Sequence, residues 1–318
     1  MRAALPLYWV VFAILMVPAL GPGLVKPVVA GTTARGSSEA MRSLGYSIYY
    51  TIVNIGGALG PLLASGVRSK LGVESVCYMS ALFALAMFIV TVVFFRELPV
   101  PAEHRVETVG AAVRNMVRVL LNFRVVAFLL LFSGFYVVFW QVYVALPLYV
   151  RGYVDPHSPI DALISIEGFS VIALTVVVAW LTRKLRPITT MASGVLITSL
   201  SWLLLTVSAA TPFIAATLVG IAIGELTQAP RYYEYVSRLA PKGQEGTFLG
   251  FAFLPIAVGY LIGGPLGGWL VRYFGTVVRR PSAMWYVVSA IGVATAALLW
   301  IYDRVVQPGR QKAEAATQ

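Results

Sequence analysis

Nine long apolar stretches run along the chain, separated by shorter polar ones: Leu7–Ala30, Leu44–Ala64, Ser75–Phe95, Val126–Val150, Ile160–Leu181, Ile188–Ala209, Pro212–Ala229, Thr247–Val271 and Ser282–Tyr302. Each is long enough to cross a hydrocarbon core of about 30 Å at about 1.5 Å of rise per residue. Membrane β-strands are much shorter and alternate in polarity, so the pattern predicts nine transmembrane helices and an all-α membrane fold. Six of the nine stretches contain no Asp, Glu, Lys or Arg. The one long polar connection, Glu97–Arg124, carries Pro99, Pro101, His104 and four arginines. Inside it, Val109–Leu121 reads as a short amphipathic helix lying along a membrane surface. This connection separates three spans from six.

Composition sharpens the reading. Hydrophobic residues make up 59% of the chain and charged residues 12%, against roughly a quarter charged in soluble domains. That excludes a water-soluble enzyme and a disordered chain, and a single cysteine, Cys77, excludes a disulfide scaffold. The net charge of +11 does not imply nucleic acid as a partner, because the basic residues sit between apolar runs with no aromatic-plus-basic patch. Counted by side, 16 Lys and Arg fall on one face of the membrane and 7 on the other. The positive-inside rule then puts the C-terminus and the 97–124 linker in the cytoplasm of a multi-pass inner-membrane protein. Met1 falls outside. Arg2, the apolar run and the small residues near Ala19 and Gly21 imitate a signal peptide, but the run continues to Ala30.

An internal repeat accounts for the uneven division. Gly60-Pro61-Leu62 and Val67-Arg68 in span two return as Gly264-Pro265-Leu266 and Val271-Arg272 in span eight, both after glycine-rich runs. The two spans are six apart, so the repeating unit is six helices. Parallel six-helix halves with a solute site at their interface describe the major facilitator arrangement. On this reading residues 1–96 are the last three helices of an N-terminal bundle. Residues 97–124 are a cytoplasmic linker, 125–304 a complete six-helix C-terminal bundle, and 305–318 a cytoplasmic tail. Three preceding helices are expected to be missing. Small residues with a proline also serve as close helix-packing surfaces.

Four ionisable residues lie inside the apolar runs: Lys26, Asp161, Glu167 and Glu225. Such groups are costly in lipid and face a partner or a watery cavity. Asp161 is at a span edge, where water reaches it. Lys26 precedes Arg35 by nine residues and Glu225 precedes Arg231 by six, which puts them about 13 Å and about 9 Å deep. The similar depths allow a Lys26–Glu225 bridge that closes the cytoplasmic side and opens when Glu225 is protonated. The plainer readings are a snorkelling Lys26 and a solvated helix end at Glu225. Glu167, about 24 Å from the cytoplasm by the same count, is either an outer-vestibule carboxylate or a cavity ligand. Gly21-Pro22-Gly23, Pro27 and Pro230 mark irregular backbone, which membrane interiors tolerate where protein or water satisfies it.

At these positions the chain resembles the proton-dependent oligopeptide transporter branch of the major facilitator superfamily. Gly21-Pro22-Gly23-Leu24-Val25-Lys26-Pro27 resembles that family's fourth-helix stretch. Tyr46 through Gly57 resembles its fifth-helix Asn-x-Gly signature, and Gly224-Glu225 through Gly250 its passage of helices ten and eleven. The resemblance implies that Lys26 and Glu225 form the cytoplasmic-gate and peptide-binding pair, that Asn54 is a solute-binding amide, and that Gln141 is the glutamine of the seventh helix. The chain departs from the family at Phe139 and Trp140, which replace acidic residues, at Glu167, where Asn is usual, and at Ala252, where Trp is common. The family's first-helix proton-coupling motif falls in the missing part. Gly56-x-x-x-Gly60-Pro61 also resembles part of the antiporter motif of drug exporters, with Ala64 and Ser65 in place of its final glycines.

The expectation is a partial major facilitator fold, monomeric and in a lipid bilayer, that moves a small polar solute such as a short peptide by alternating access, coupled to protons. Lys26, Glu225, Asn54, Gln141 and Glu167 would carry solute and protons. A proton-coupled exporter of the same fold and an inactive truncated remnant are the alternatives. No enzyme activity, cofactor or metal is expected, since His104 and His157 both lie in loops without companion ligands.

Overall fold

The computed structural model describes residues 9–14, 17, 21, 25–26, 28–29, 32–33, 36, 42–96, 109–182, 185–239 and 250–315. It falls into two units, Met1–Ile52 with Arg96–Val106, and Val53–Phe95 with Glu107–Gln318. The described elements are helical, without strands: α1 (Arg42–Leu71), α2 (Val73–Phe94), α3 (Val109–Leu121), α4 (Phe123–Phe139), α5 (Ala145–Tyr153), α6 (Ile160–Thr182), α7 (Pro187–Ser201), α8 (Leu204–Val207), α9 (Thr211–Leu239), α10 (Leu254–Arg272) and α11 (Met284–Ala315). Seven of the helices and helix pairs are long and apolar enough to span a membrane. These correspond to the last seven of the nine expected stretches. The second stretch lies within α1, and the first falls largely outside the described residues.

The second unit contains a bundle of six crossings, α4–α5, α6, α7–α8, α9, α10 and α11. Here α7 packs against α9 and α11, α6 against α9, and α4 against α10 and α11. Lipid cannot hydrogen-bond to a helix, so the backbone bonds are closed within each helix and the small polar side chains bond back one turn. Ser133, Ser199, Thr217, Thr227 and Thr295 each donate to the carbonyl four residues earlier. Asn122 caps α4 by accepting from the Val125 amide.

Between the helices the bundle is closed by stacked rings and by close-packed glycines. Phe132 stacks on Tyr232 at 4.3 Å, and Trp202 on Trp285 at 4.6 Å. The Tyr232 hydroxyl donates to the Ala252 carbonyl, which satisfies it in a dry core. Gly194 on α7 faces Gly224 on α9 so closely that a β-carbon on Gly224 would lie 2.6 Å from the Gly194 carbonyl oxygen. Small residues are what allow two helix backbones to approach in this way where no hydrophobic effect drives them together.

Pro61, Pro230 and Pro265 all lie inside helices. Both copies of the Gly-Pro-Leu repeat therefore occupy the interior of long helices. The amphipathic segment of the connecting stretch is a helix with the expected limits, Val109–Leu121.

Candidate functional site

Glu167 is held by the periodicity of α6. Ile160, Ile164, Gly168, Val171 and Val178 form the buried stripe of that helix, and Glu167 falls within it at only 6% exposure. A side chain on this stripe points into protein and away from lipid. What it meets is a second acid. The Glu167 carboxyl neighbours the Glu225 carboxyl of α9 and the Tyr143 hydroxyl, near enough for each to act on it electrostatically.

This pairing departs from the depths counted along the sequence, which separate the two acids widely. The count treats Arg231 as the membrane edge of its span. In the structure α9 continues through Pro230 and Arg231 to Leu239, and the Arg231 guanidinium donates to the Thr182 carbonyl at the end of α6. Glu225 is thus well inside a helix, flanked by buried Ala222 and Leu226, and is not a solvated helix end.

Tyr143 reaches the acids because its helix breaks. α4 ends at Phe139, the backbone tightens into a 3₁₀ turn over Trp140–Val142, and α5 begins at Ala145. Around this break the aromatic rings gather. Trp140 stacks on Tyr260 of α10 at 3.9 Å and lies 5.3 Å from Tyr143. Two acids beside Tyr143, Trp140 and Tyr260 make a site with negative charge and π-faces, a combination that attracts cations.

Gln141 sits in the same break but faces another way. It is 1% exposed, and its Nε2 donates to the Val137 carbonyl at 2.7 Å and the Gly263 carbonyl at 3.0 Å. Its Oε1 is buried and has no hydrogen-bond partner among the described residues. In this structure it ties the broken helix to the glycine face of α10. Gln141→Leu should therefore lower stability by about 1–2 kcal/mol through the lost bonds, read as a lower unfolding midpoint in detergent.

Of the two further expected residues, Asn54 is half-buried on α1 and makes interactions of its own. Lys26 occupies an exposed helical position and belongs to the first unit. Most of the Gly21–Pro27 stretch, and residues 240–249 of the helix-ten-to-eleven passage, lie outside the described residues.

Asp161, read as a wet span edge, has two cationic partners. Its Oδ2 accepts from Arg68 at 2.8 Å and from Arg151 at 2.5 Å. Sequence reasoning missed this, as it missed Tyr143 and Tyr260, because no local pattern marks them. Among the described residues no group of His, Cys, Asp and Glu has the makings of a metal site.

A helical membrane bundle whose buried ionisable groups face one another and not the lipid is the framework of a solute transporter. The comparisons agree. The Major Facilitator Superfamily model matches residues 3–254 and 156–318, and the chain belongs to that superfamily: it is a multi-pass membrane transporter of small-molecule solutes and not an enzyme. It is 26% identical over 294 residues to the multidrug resistance protein MdtH of Edwardsiella ictaluri, covering 92% of this chain and 71% of that protein. MdtH of Escherichia coli O157:H7 is 26% identical over 299 residues, covering 93% of this chain and 72% of the relative. Among solved structures, a POT family transporter in complex with a thioalcohol-conjugated peptide superposes with a TM-score of 0.65 at 14% identity, over 90% of this chain and 74% of that one. A POT family transporter with 5-aminolevulinic acid gives 0.63 at 15%, with the same coverage. At these identities the structural likeness shows the fold alone.

Proposed function

We propose that the protein is a proton-coupled secondary transporter in which Glu167 and Glu225 carry the proton and bind a cationic group of the solute. The observation that supports this most is the nearness of the two carboxyls, one of them almost wholly buried. Two neighbouring carboxylates in a low-dielectric site repel each other when both are charged, and on this proposal the coupled proton relieves that repulsion. A cation that displaces the proton beside Tyr143, Trp140 and Tyr260 is exchanged against it, and proton and solute then compete for one site. A cation bound together with the proton, one carboxyl protonated and the other charged, is carried along with it, and in both cases the coupling follows from charge balance.

Two solute classes bring such a cation. A lipophilic organic cation exchanging against protons fits the acid-and-aromatic wall, and the relatives named for multidrug resistance support it. A short peptide bearing an α-ammonium group, moving with protons, fits the three resemblance motifs. In the second case Lys26 supplies the positive partner of Glu225 or of the peptide carboxylate, as the sequence reading has it. The domain limits at 96, 124 and 304, the cytoplasmic C-terminus, the inner-membrane location and the monomeric state belong to the same proposal.

Proteoliposomes of the full chain, with a pH gradient imposed in either direction, test it with dialanine and with tetraphenylphosphonium. The gradient is expected to drive one of the two probes uphill. Uptake of dialanine together with protons, lost in Lys26→Ala, selects the peptide reading. Movement of tetraphenylphosphonium against the proton flow selects the exchanger. Equal rates with and without a gradient for both probes would refute proton coupling.

A further inference from the structure

Asp161 stands at the start of α6, where one carboxylate oxygen receives two guanidinium groups of different provenance. Arg151 lies at the end of α5, ten residues earlier in the same helical hairpin, so its bond to Asp161 is local. Arg68 lies 93 residues away near the end of α1, in the helix that carries the first copy of the Gly-Pro-Leu repeat. On the proposed division of the chain, its bond joins helices from different six-helix halves.

A second contact links the same two helices two turns further along α6. There a β-carbon on Gly168 would lie 2.9 Å from both the α-carbon and the amide nitrogen of Ala58, and Ala58 is completely buried. The α1 and α6 backbones touch at this point. The Asp161 end of the seam lies about 10 Å along α6 from that touching point.

A backbone contact with a breakable bond at some distance from it is a fulcrum and a latch. The two kinds of contact respond differently when one half rocks against the other. At the touching point displacement is small and small residues accommodate it. At the Asp161 end the same rotation separates Arg68 from Asp161, while Arg151 travels with Asp161 on its own hairpin. We propose that Arg68, Asp161 and Arg151 form an ionic latch that closes the Asp161 end of the solute route. Arg68 is its releasable arm, and Arg151 is a holder that keeps Asp161 charged and aimed when the latch is open.

Half-exposed ion pairs are weak and water competes for their members, which suits a contact that must break in every cycle. All three side chains are partly exposed, from 27% for Asp161 to 42% for Arg68. The second guanidinium has its own use. When Arg68 leaves, Asp161 is not abandoned as a lone charge at a membrane edge, so opening requires the loss of one bond and not two.

The test uses the full chain with its native Cys77 replaced, and Glu167→Cys as a thiol reporter inside the bundle. A membrane-impermeant maleimide is applied to each side of the membrane in turn. Arg68→Gln should raise labelling from the Asp161 side by about tenfold, as the open population grows at the expense of the closed one. Arg68→Lys should restore low labelling, and Arg151→Gln should raise it much less than Arg68→Gln. A separate Arg68→Cys/Asp161→Cys pair, oxidised to a disulfide, should stop reporter labelling from that side, and reductant should return it. Labelling unchanged by Arg68→Gln, or raised equally from both sides as a loosened fold would do, overturns the latch. The readout needs neither solute nor gradient and removes one member of the carboxyl pair, so its failure is separate from failure of the proton-coupling proposal.

Discussion

Glu167→Gln and Glu225→Gln should each reduce gradient-driven transport to below about a tenth of the wild-type rate, and the double variant should be no slower than either alone. Residues that act as one unit lose nearly all their joint effect when the first is removed. Two carboxyls sharing a proton are such a unit, because each depends on the other for the charge state that makes it useful. Glutamine keeps the shape and the hydrogen-bonding capacity of the site but carries no titrating proton. Downhill exchange of solute, which needs no proton movement, should survive in both single variants. Parallel, independent losses that multiply in the double variant would mean that the two acids serve separate steps.

The largest effect on stability is expected at the α7–α9 contact. Gly194→Leu should destabilise the bundle by about 3 kcal/mol or more, and the folded yield in detergent should fall with it. A β-carbon at Gly194 would lie 2.9 Å from both the amide nitrogen and the β-carbon of Gln228, besides its clash with the Gly224 carbonyl. These are atoms of a rigid helix and cannot swing aside, so α7 and α9 must separate along their whole length. Glycines of the open face offer the internal control. Gly264 and Gly268 have no atom within 4 Å of a β-carbon, so Gly268→Leu should leave the unfolding midpoint nearly unchanged.

The spans were legible because lipid imposes one rule on every segment. Apolar runs of sufficient length must be helices, and α6 begins and ends within a residue of the stretch expected for it. The Gly-Pro-Leu repeat falls, as read from the sequence, inside two long helices. The internal geometry of the site was not legible, for reasons that differ from residue to residue. The Glu167–Glu225 pairing was hidden because depth was measured from the nearest arginine, and Arg231 is a long side chain that reaches back to the Thr182 carbonyl from within a continuing helix. Tyr143 was hidden because the 3₁₀ turn at Trp140–Val142 interrupts an apolar run with no Gly or Pro to announce it. Asp161 looked like a wet helix start because its partners lie ten and 93 residues away. Charge pairs between segments leave no periodic trace.

The identity of Gln141 also shows what a motif carries. The resemblance named the residue for its place in a helix, and the structure gives that place a physical use: two donated bonds hold the interrupted helix against the Gly263 backbone. The same position can serve packing in this chain whatever else it serves.

Proton movement on binding tests the account most directly. In weakly buffered detergent solution, the full chain is titrated with tetraphenylphosphonium and, separately, with dialanine, while the pH of the medium is followed. If Glu167 and Glu225 carry the coupled proton, binding of one of these probes moves protons in the wild type, released by an exchanged solute and taken up with a co-transported one, and moves none in Glu167→Gln or Glu225→Gln. Binding that leaves the pH unmoved in the wild type, or that moves the same amount in all three proteins, would contradict it.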